Sequence, residues 1–213
     1  MAVYGPDSFT LRDGRAVVLR HCRAEDALAI GPFRAQIARE TTYTLQYVGL
    51  EPAPIEAMAK RLADAEASPH ALNIGSFDTS RLVGHLLFWR LRAEHLWIAH
   101  IAQFAMMILR DYWGQGLGRH MLEVMEAHAL AIGVTRIEAT VDARNVRGIE
   151  LYRRFGFGIE GVRCGSALID EAYRDEYYIG KTYDARIRPL PPGLDPLNAM
   201  SARAGQPVPR EGS

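Results

Sequence analysis

The stretch DYWGQGLGRHM, residues 111–121, places Gly114, Gly116 and Gly118 at alternate positions between an apolar run and an amphipathic segment. Glycine weakens helices and strands alike, so three at one junction mark a turn where the backbone needs room. The run before it, LWIAHIAQFAMMIL (96–109), is predicted to be one long strand after a turn at Ala93–His95. Ordinary strands span ~3–10 residues, so a bend or bulge is expected inside this one. In the segment after it, Leu122, Met125, Ala129 and Ile132 recur at threes and fours, with Met121 and Val124 widening the stripe, and Gly133 stands at the end. That is the pattern of an amphipathic helix closed by a C′ glycine. Strand, glycine turn and helix together suit an anion site. The first helical N–H groups have no internal partner, and the helix dipole adds positive charge there. A tight turn with close helix–sheet packing uses the same glycines, and the pattern alone leaves both readings open.

The other elements follow from periodicity and breakers. AVVLRHC (16–22) reads as a strand, and RAEDALAIGPFRAQIARE (23–40) as a helix that Gly31 and Pro32 should kink or split. A second helix begins at Pro54, with Ile55, Met58, Ala59 and Leu62 on one face. ALNIGSF and RLVGHLLFWRL, joined by Asp78-Thr79-Ser80, form a hairpin. TRIEATVD is a strand, and NVRGIELYRRFG is a short helix capped by Asn145 and ended by Gly156. FGIEGVRCGSALID and AYRDEYYIGKTY close the chain as a hairpin. The order β-α-α-β-β-β-α-β-α-β-β predicts one α+β domain over residues 1–188. A mixed, mostly antiparallel sheet of six to seven strands is flanked by about four helices. Residues 189–213 hold six of the eleven prolines and no apolar period, and are expected to be a disordered or loosely packed tail.

Composition narrows the function classes. With 25 basic and 25 acidic side chains the formal net charge is zero, which gives no footing for nucleic acid. The longest apolar run is broken by His100 and Gln103 and falls short of the ~20 residues a bilayer span takes. The N-terminus lacks the apolar core of a signal peptide. Cys22 and Cys164 lie far apart, without metal-ligand spacing, and read as free thiols in a reducing compartment. The expectation is a cytoplasmic protein that holds no metal.

Two phosphate loops can be excluded at the glycines. G-x-G-x-x-G started at Gly114 ends on Arg119, and started at Gly116 it ends on Met121. The Walker pattern needs a lysine, and none is near. The segment YWGQGLGRHMLEVMEAHALAIGVTRIEATVDARNVRGIELYRRFGF does resemble the GNAT superfamily of acetyl-CoA-dependent N-acetyltransferases. The family loop [QR]-x-x-G-x-[GA] appears as Trp113-Gly114-Gln115-Gly116-Leu117-Gly118, with Trp113 departing at the first place. The second signature, N-x-x-A-x-x-x-Y-x-x-x-G-F, appears as NVRGIELYRRFGF, with Gly148 in place of Ala. The resemblance runs from about Val17 to Tyr183.

It implies attack of an amine on the thioester of acetyl-CoA. The amides of Gly114, Gln115, Gly116, Leu117, Gly118 and Arg119 would take the diphosphate. The backbone of Met106, Met107 and Ile108 would pair with the pantetheine arm as an added strand does. This requires the expected bend to splay that strand from TRIEATVD. Asn145 occupies a cofactor-contacting place and is also a helix cap. Tyr152 would protonate the leaving thiolate, since a phenol near ~10 keeps its proton where a thiol near ~8.5 begins to lose one. The resemblance puts the general base about eleven residues before the loop, which falls on Ala102. His100, two residues earlier on the same face, is one candidate, with an ordinary hydrogen-bonded core histidine as the alternative. Glu40, in the region that walls the acceptor site of many members, is a second, and a water chain is a third. Acceptor specificity is expected from residues 31–55, from His85 to Arg92 and from the closing hairpin. Many relatives are dimers. A different class of function, a CoA-binding sensor without turnover, shares the fold, and an intact Tyr152 speaks against it.

Overall fold

The computed structural model describes residues 4–187, so the proline-rich tail predicted at 189–213 lies outside the described residues. Eight strands form one sheet: β1 (Asp7–Thr10), β2 (Ala16–His21), β3 (Ala71–Asp78), β4 (Arg81–Arg90), β5 (Ile101–Ile108), β6 (Arg136–Asp142), β7 (Gly158–Ile169) and β8 (Ala172–Thr182). Their spatial order is β1-β2-β3-β4-β5-β6-β8-β7. Four helices accompany them: α1 (Ala27–Glu40), α2 (Ile55–Ala67), α3 (Leu117–Ala131) and α4 (Val146–Arg154). The α+β class stands, with one strand more than expected. The addition is β1, four residues whose short polar sequence DSFT carries no pattern of its own and which exists by pairing with β2.

Neighbouring strands pair antiparallel except β5 and β6, which are parallel and joined through α3. Even-numbered residues of β4 and β5 face α3 and α4. Phe88 meets His128 of α3 edge-on at 5.5 Å, and Phe104 meets Tyr152 of α4 edge-on at 5.6 Å. Odd-numbered residues face α1 and α2, as the edge contact of His85 with Phe33 at 6.3 Å records. A continuous core of Leu19, Ile30, Ile37, Leu72, Ile74, Leu86, Met121 and Leu122 fills both interfaces.

Three expectations are corrected. The long strand 96–109 is shorter, because residues before Ile101 form turns and leave Leu96 and Trp97 almost wholly exposed. Helix α1 runs through Pro32 without a break. The residue before proline resists the helical region mainly through its Cβ, and Gly31 has none. In α2 the inward face is Met58 and Leu62, while Ile55 is exposed.

The chain into α1 is fixed by Asp26, whose carboxylate takes two bonds from Arg20 at 2.7 Å and one from the Arg23 amide at 2.7 Å. Burial alone would raise its pKa, but these bonds outweigh burial and hold it below the usual 3.8. A lowered carboxylate pKa gives stability that is present above the unfolded value and lost as pH falls through the folded one. Asp26→Asn is therefore expected to cost about 2 kcal/mol at neutral pH, with the gap to wild type narrowing in acid. Urea unfolding of both proteins at neutral and acid pH measures this, and an equal gap at both would contradict it.

Candidate active site

Sheet pairing creates the site. β5 and β6 share a ladder only at Ile101↔Arg136, Ala102↔Ile137 and Gln103↔Glu138, after which β6 continues against β8 and β5 against β4. The strands splay from Phe104 onward, but without the bend or bulge expected inside this strand, since β5 keeps an unbroken register with β4. The bonds Leu91 N–H to Ile101 O (3.0 Å) and Leu109 N–H to Val83 O (2.9 Å) fix the alternation along β5. Odd residues spend their main-chain groups on β4. Phe104, Met106 and Ile108 turn theirs toward the gap. The set Met106, Met107, Ile108 is thereby divided: Met107 is committed to His85 of β4 and offers the cavity only its side chain. The Ile108 carbonyl is also taken, by the Trp113 indole N–H at 2.7 Å. The tryptophan that stands where the family loop has Gln or Arg thus ties the loop to the end of β5.

The glycine turn stands beside this gap. Gly116 is the N-cap of α3 with φ +91°, a left-handed conformation that swings the first amides of the helix outward. Gly118 serves packing: a Cβ there would come within 3.0 Å of Leu151 Cδ2 and 3.3 Å of Ile108 Cδ1. Of the two readings left open for the glycines, close helix–sheet packing holds at Gly118. Sequence reasoning missed the brace behind the loop. The turn after β1 donates Arg12 N–H to the Gln115 carbonyl (3.3 Å), Asp13 N–H to the Gln115 side chain (3.1 Å) and Arg12 Nη1 to the Gly114 carbonyl (3.2 Å). Phe9 stacks on His120 of α3 with ring centroids 4.4 Å apart. The one signal for this brace is the turn sequence Arg12-Asp13-Gly14-Arg15, which names no partner.

A cavity of about 1000 Å³ passes through the gap and is open to both faces of the sheet. On the α3/α4 face it is lined by Gly114, Gly116, Arg119, Asn145 and Tyr152. Asn145 caps α4, its Oδ1 accepting the Gly148 N–H at 2.9 Å, which leaves its amide nitrogen available to the cavity. Tyr152 is buried against Phe104 and Phe157, and burial pushes its phenol up to about 12. On the α1/α2 face lie Arg34, residues 41 and 43–46, Leu87, Trp89 and Gln103.

Neither candidate base reaches this cavity. His100 precedes β5, and its carbonyl accepts the Thr135 and Arg136 amides at the end where β5 and β6 are still paired. At ~3.3 Å per residue the splayed stretch begins well over 10 Å farther along. Its placement on the strand face beside the site is corrected: the run it belonged to turns before it becomes strand. Glu40 ends α1, where its carboxylate accepts the Gln36 amide at 2.8 Å and the Arg110 N–H at 2.7 Å. It fastens the helix to the start of the loop and is not among the residues that line the cavity. Glu176 of β8, which the sequence gave no reason to single out, does line the cavity, held by Thr140 (3.4 Å) and Arg163 (3.2 Å).

A splayed parallel pair, a main-chain edge left open on one strand and a helix N-terminus beside it form a slot suited to an extended ligand that carries an anionic group. The chain belongs to the acetyltransferase (GNAT) family, whose model matches residues 36–157. It is 29% identical over 167 residues to the L-amino acid N-acetyltransferase AaaT of Escherichia coli K12, covering 78% of this chain and 97% of that protein. The acetyltransferase of the GNAT family from Streptococcus pneumoniae superposes with a TM-score of 0.72 at 26% identity, covering 79% of this chain and 99% of that one. The fold is shared with yncA of Salmonella typhimurium, solved with its cofactor acetyl-CoA, at a TM-score of 0.68 and 16% identity over 81% and 97% of the two chains.

Proposed function

We propose that the protein transfers the acetyl group of acetyl-CoA to the primary amine of a free L-amino acid by direct attack. The observation that carries the donor side is the open edge of β5 beside the Gly116 amides. The diphosphate sits on the amides from Gly114 to Arg119, where unpaired N–H groups and the helix dipole favour negative charge. The pantetheine arm pairs with the main chain of Met106 and with the Ile108 N–H, as an added strand does. The Asn145 amide adds a donor from the start of α4.

The amine enters from the α1/α2 face and attacks the thioester carbon. The carbonyl oxygen gains charge in this step, and an edge amide of β5 faces it. As the C–S bond breaks, the thiolate takes the Tyr152 proton. A buried phenol held above its ordinary value is protonated throughout the working range, so the donor is always loaded. The ammonium proton of the acceptor leaves through water in the open cavity, since neither His100 nor Glu40 is among the residues that line it. The relative named for L-amino acids supports the acceptor class.

The test is thiol release from acetyl-CoA with L-amino acids, simple amines and α-N-blocked controls. Release is expected with the amino acids and none with the blocked controls. No release with any amine, while CoA still raises the Tm, would support the sensor alternative instead.

A further inference from the structure

Six arginines line the cavity, and one of them stands apart. Arg119, Arg144 and Arg154 face carboxylates of Glu123, Asp142 and Glu150 at 2.9, 3.4 and 2.6 Å. Arg12 and Arg147 sit at the glycine loop, beside Gly114. Arg34 is on the other side of the sheet. It projects from α1, between the buried Phe33 and Ile37 contacts, into the α1/α2 end of the cavity beside Leu87 and Trp89. Its Nε is buried and has no hydrogen-bond partner, and no carboxylate of the described residues pairs with it. Its charged neighbour is Arg61, a like charge. Burial first, and Arg61 second, disfavour its charge.

Arg34 is half-buried with its Nε shut off from water, and a charge so placed is unfavourable unless an anion partners it. Among the described residues none does. The donor does not reach it either, because the diphosphate and adenine end of the slot lies at α3, on the opposite face. The remaining occupant of the α1/α2 face is the acceptor.

We infer that Arg34 is the specificity-determining residue that binds the α-carboxylate of the acceptor, through the paired N–H groups of its guanidinium edge. This rests on the acetyltransferase reading above and sharpens it. The planar fork matches a carboxylate with two parallel bonds and holds the neighbouring α-amine at a fixed offset toward the gap. Across the gap the same face carries Glu176, on a strand beyond β6. Glu176 is already paired with Arg163, so of these two charges Arg34 is the one without an ion-pair partner among the described residues. Leu87 and Trp89 between them offer an apolar wall to the acceptor side chain. A peptide N-terminus, whose first residue has no free carboxylate, leaves Arg34 unpaired and is disfavoured.

The experiment compares L-leucine and L-phenylalanine with their α-amides, in wild type, Arg34→Gln and Arg34→Lys, by thiol release at saturating acetyl-CoA. The wild type is expected to prefer each acid over its amide in kcat/KM. Arg34→Gln should cut that acid-to-amide ratio by roughly 10- to 100-fold, chiefly through KM for the acid. Arg34→Lys should recover part of it. Taking the ratio within each protein removes the differing basicity of the two amines. A ratio unchanged in Arg34→Gln overturns the assignment, as does a wild type that prefers amides or peptides. Calorimetric binding of N-acetyl-L-leucine to the CoA-loaded protein distinguishes this from failure of the catalytic reading. Binding lost in Arg34→Gln but present in wild type supports the anchor even without turnover, and equal binding in both refutes it.

Discussion

Tyr152→Phe is expected to lower kcat by about 100- to 1000-fold while leaving the KM for acetyl-CoA within about twofold, the signature of a group used only as the C–S bond breaks. The substitution keeps the ring that packs against Phe104 and Phe157 and removes only the hydroxyl, so the Tm should hardly move. The pH dependence has a definite sign. Burial raises the phenol to about 12, so its proton is in place throughout the neutral and mildly alkaline range. The wild-type rate should climb with pH as the acceptor amine loses its proton, and show no fall from Tyr152 before about pH 11. In the variant the climb persists at a lower level. An unchanged kcat would remove Tyr152 from the chemistry.

The second large effect is at the loop. Gly116→Val puts a β-branched residue at φ +91°, where L side chains are strained, and aims its Cβ at Phe9, 3.4 Å away. A loss of about 2–3 kcal/mol is expected, lowering the Tm by about 5–10 °C. Acetyl-CoA binding should weaken by about 100-fold, since the N-cap twist that turns the α3 amides outward is lost. Gly133→Val is the control. It carries similar strain at φ +75°, with nothing within 4 Å of the new Cβ and no part in the loop. Comparable destabilisation of both, with affinity lost only at Gly116, separates strain from function. Equal affinity in the two variants would mean that the loop does not hold the donor.

Much of this was legible in the chain because the informative patterns are local. The glycine junction, the α3 stripe and the Asn145 cap depend on residues within a few turns of one another, and each stands where its spacing placed it. The splay of β5 was expected from a bend in an over-long strand, but the surplus length proved to be turn before Ile101 and the strand itself is regular against β4. What escaped depends on contacts distant in sequence. β1 is four residues with no period that pairs locally with β2, and the place of its following turn behind Gln115 depends on a contact 102 residues away. His100 and Glu40 were chosen for their chemistry and excluded by where turns and helix ends put their hydrogen bonds. Arg34 was invisible among many arginines, because its isolation is a property of what α1 packs against.

The splay also has a mechanical meaning. Three residue pairs, Ile101 to Gln103 against Arg136 to Glu138, are the whole ladder between the β1–β5 half of the sheet and the β6–β8–β7 half. The sheet is two plates on a short hinge, with core packing beneath it. In the proposed binding mode a donor lying along β5 would add hydrogen bonds where the chain omits them and span the seam from the loop to the hinge. Binding and cohesion would then draw on the same missing strand, and acetyl-CoA is expected to raise the Tm.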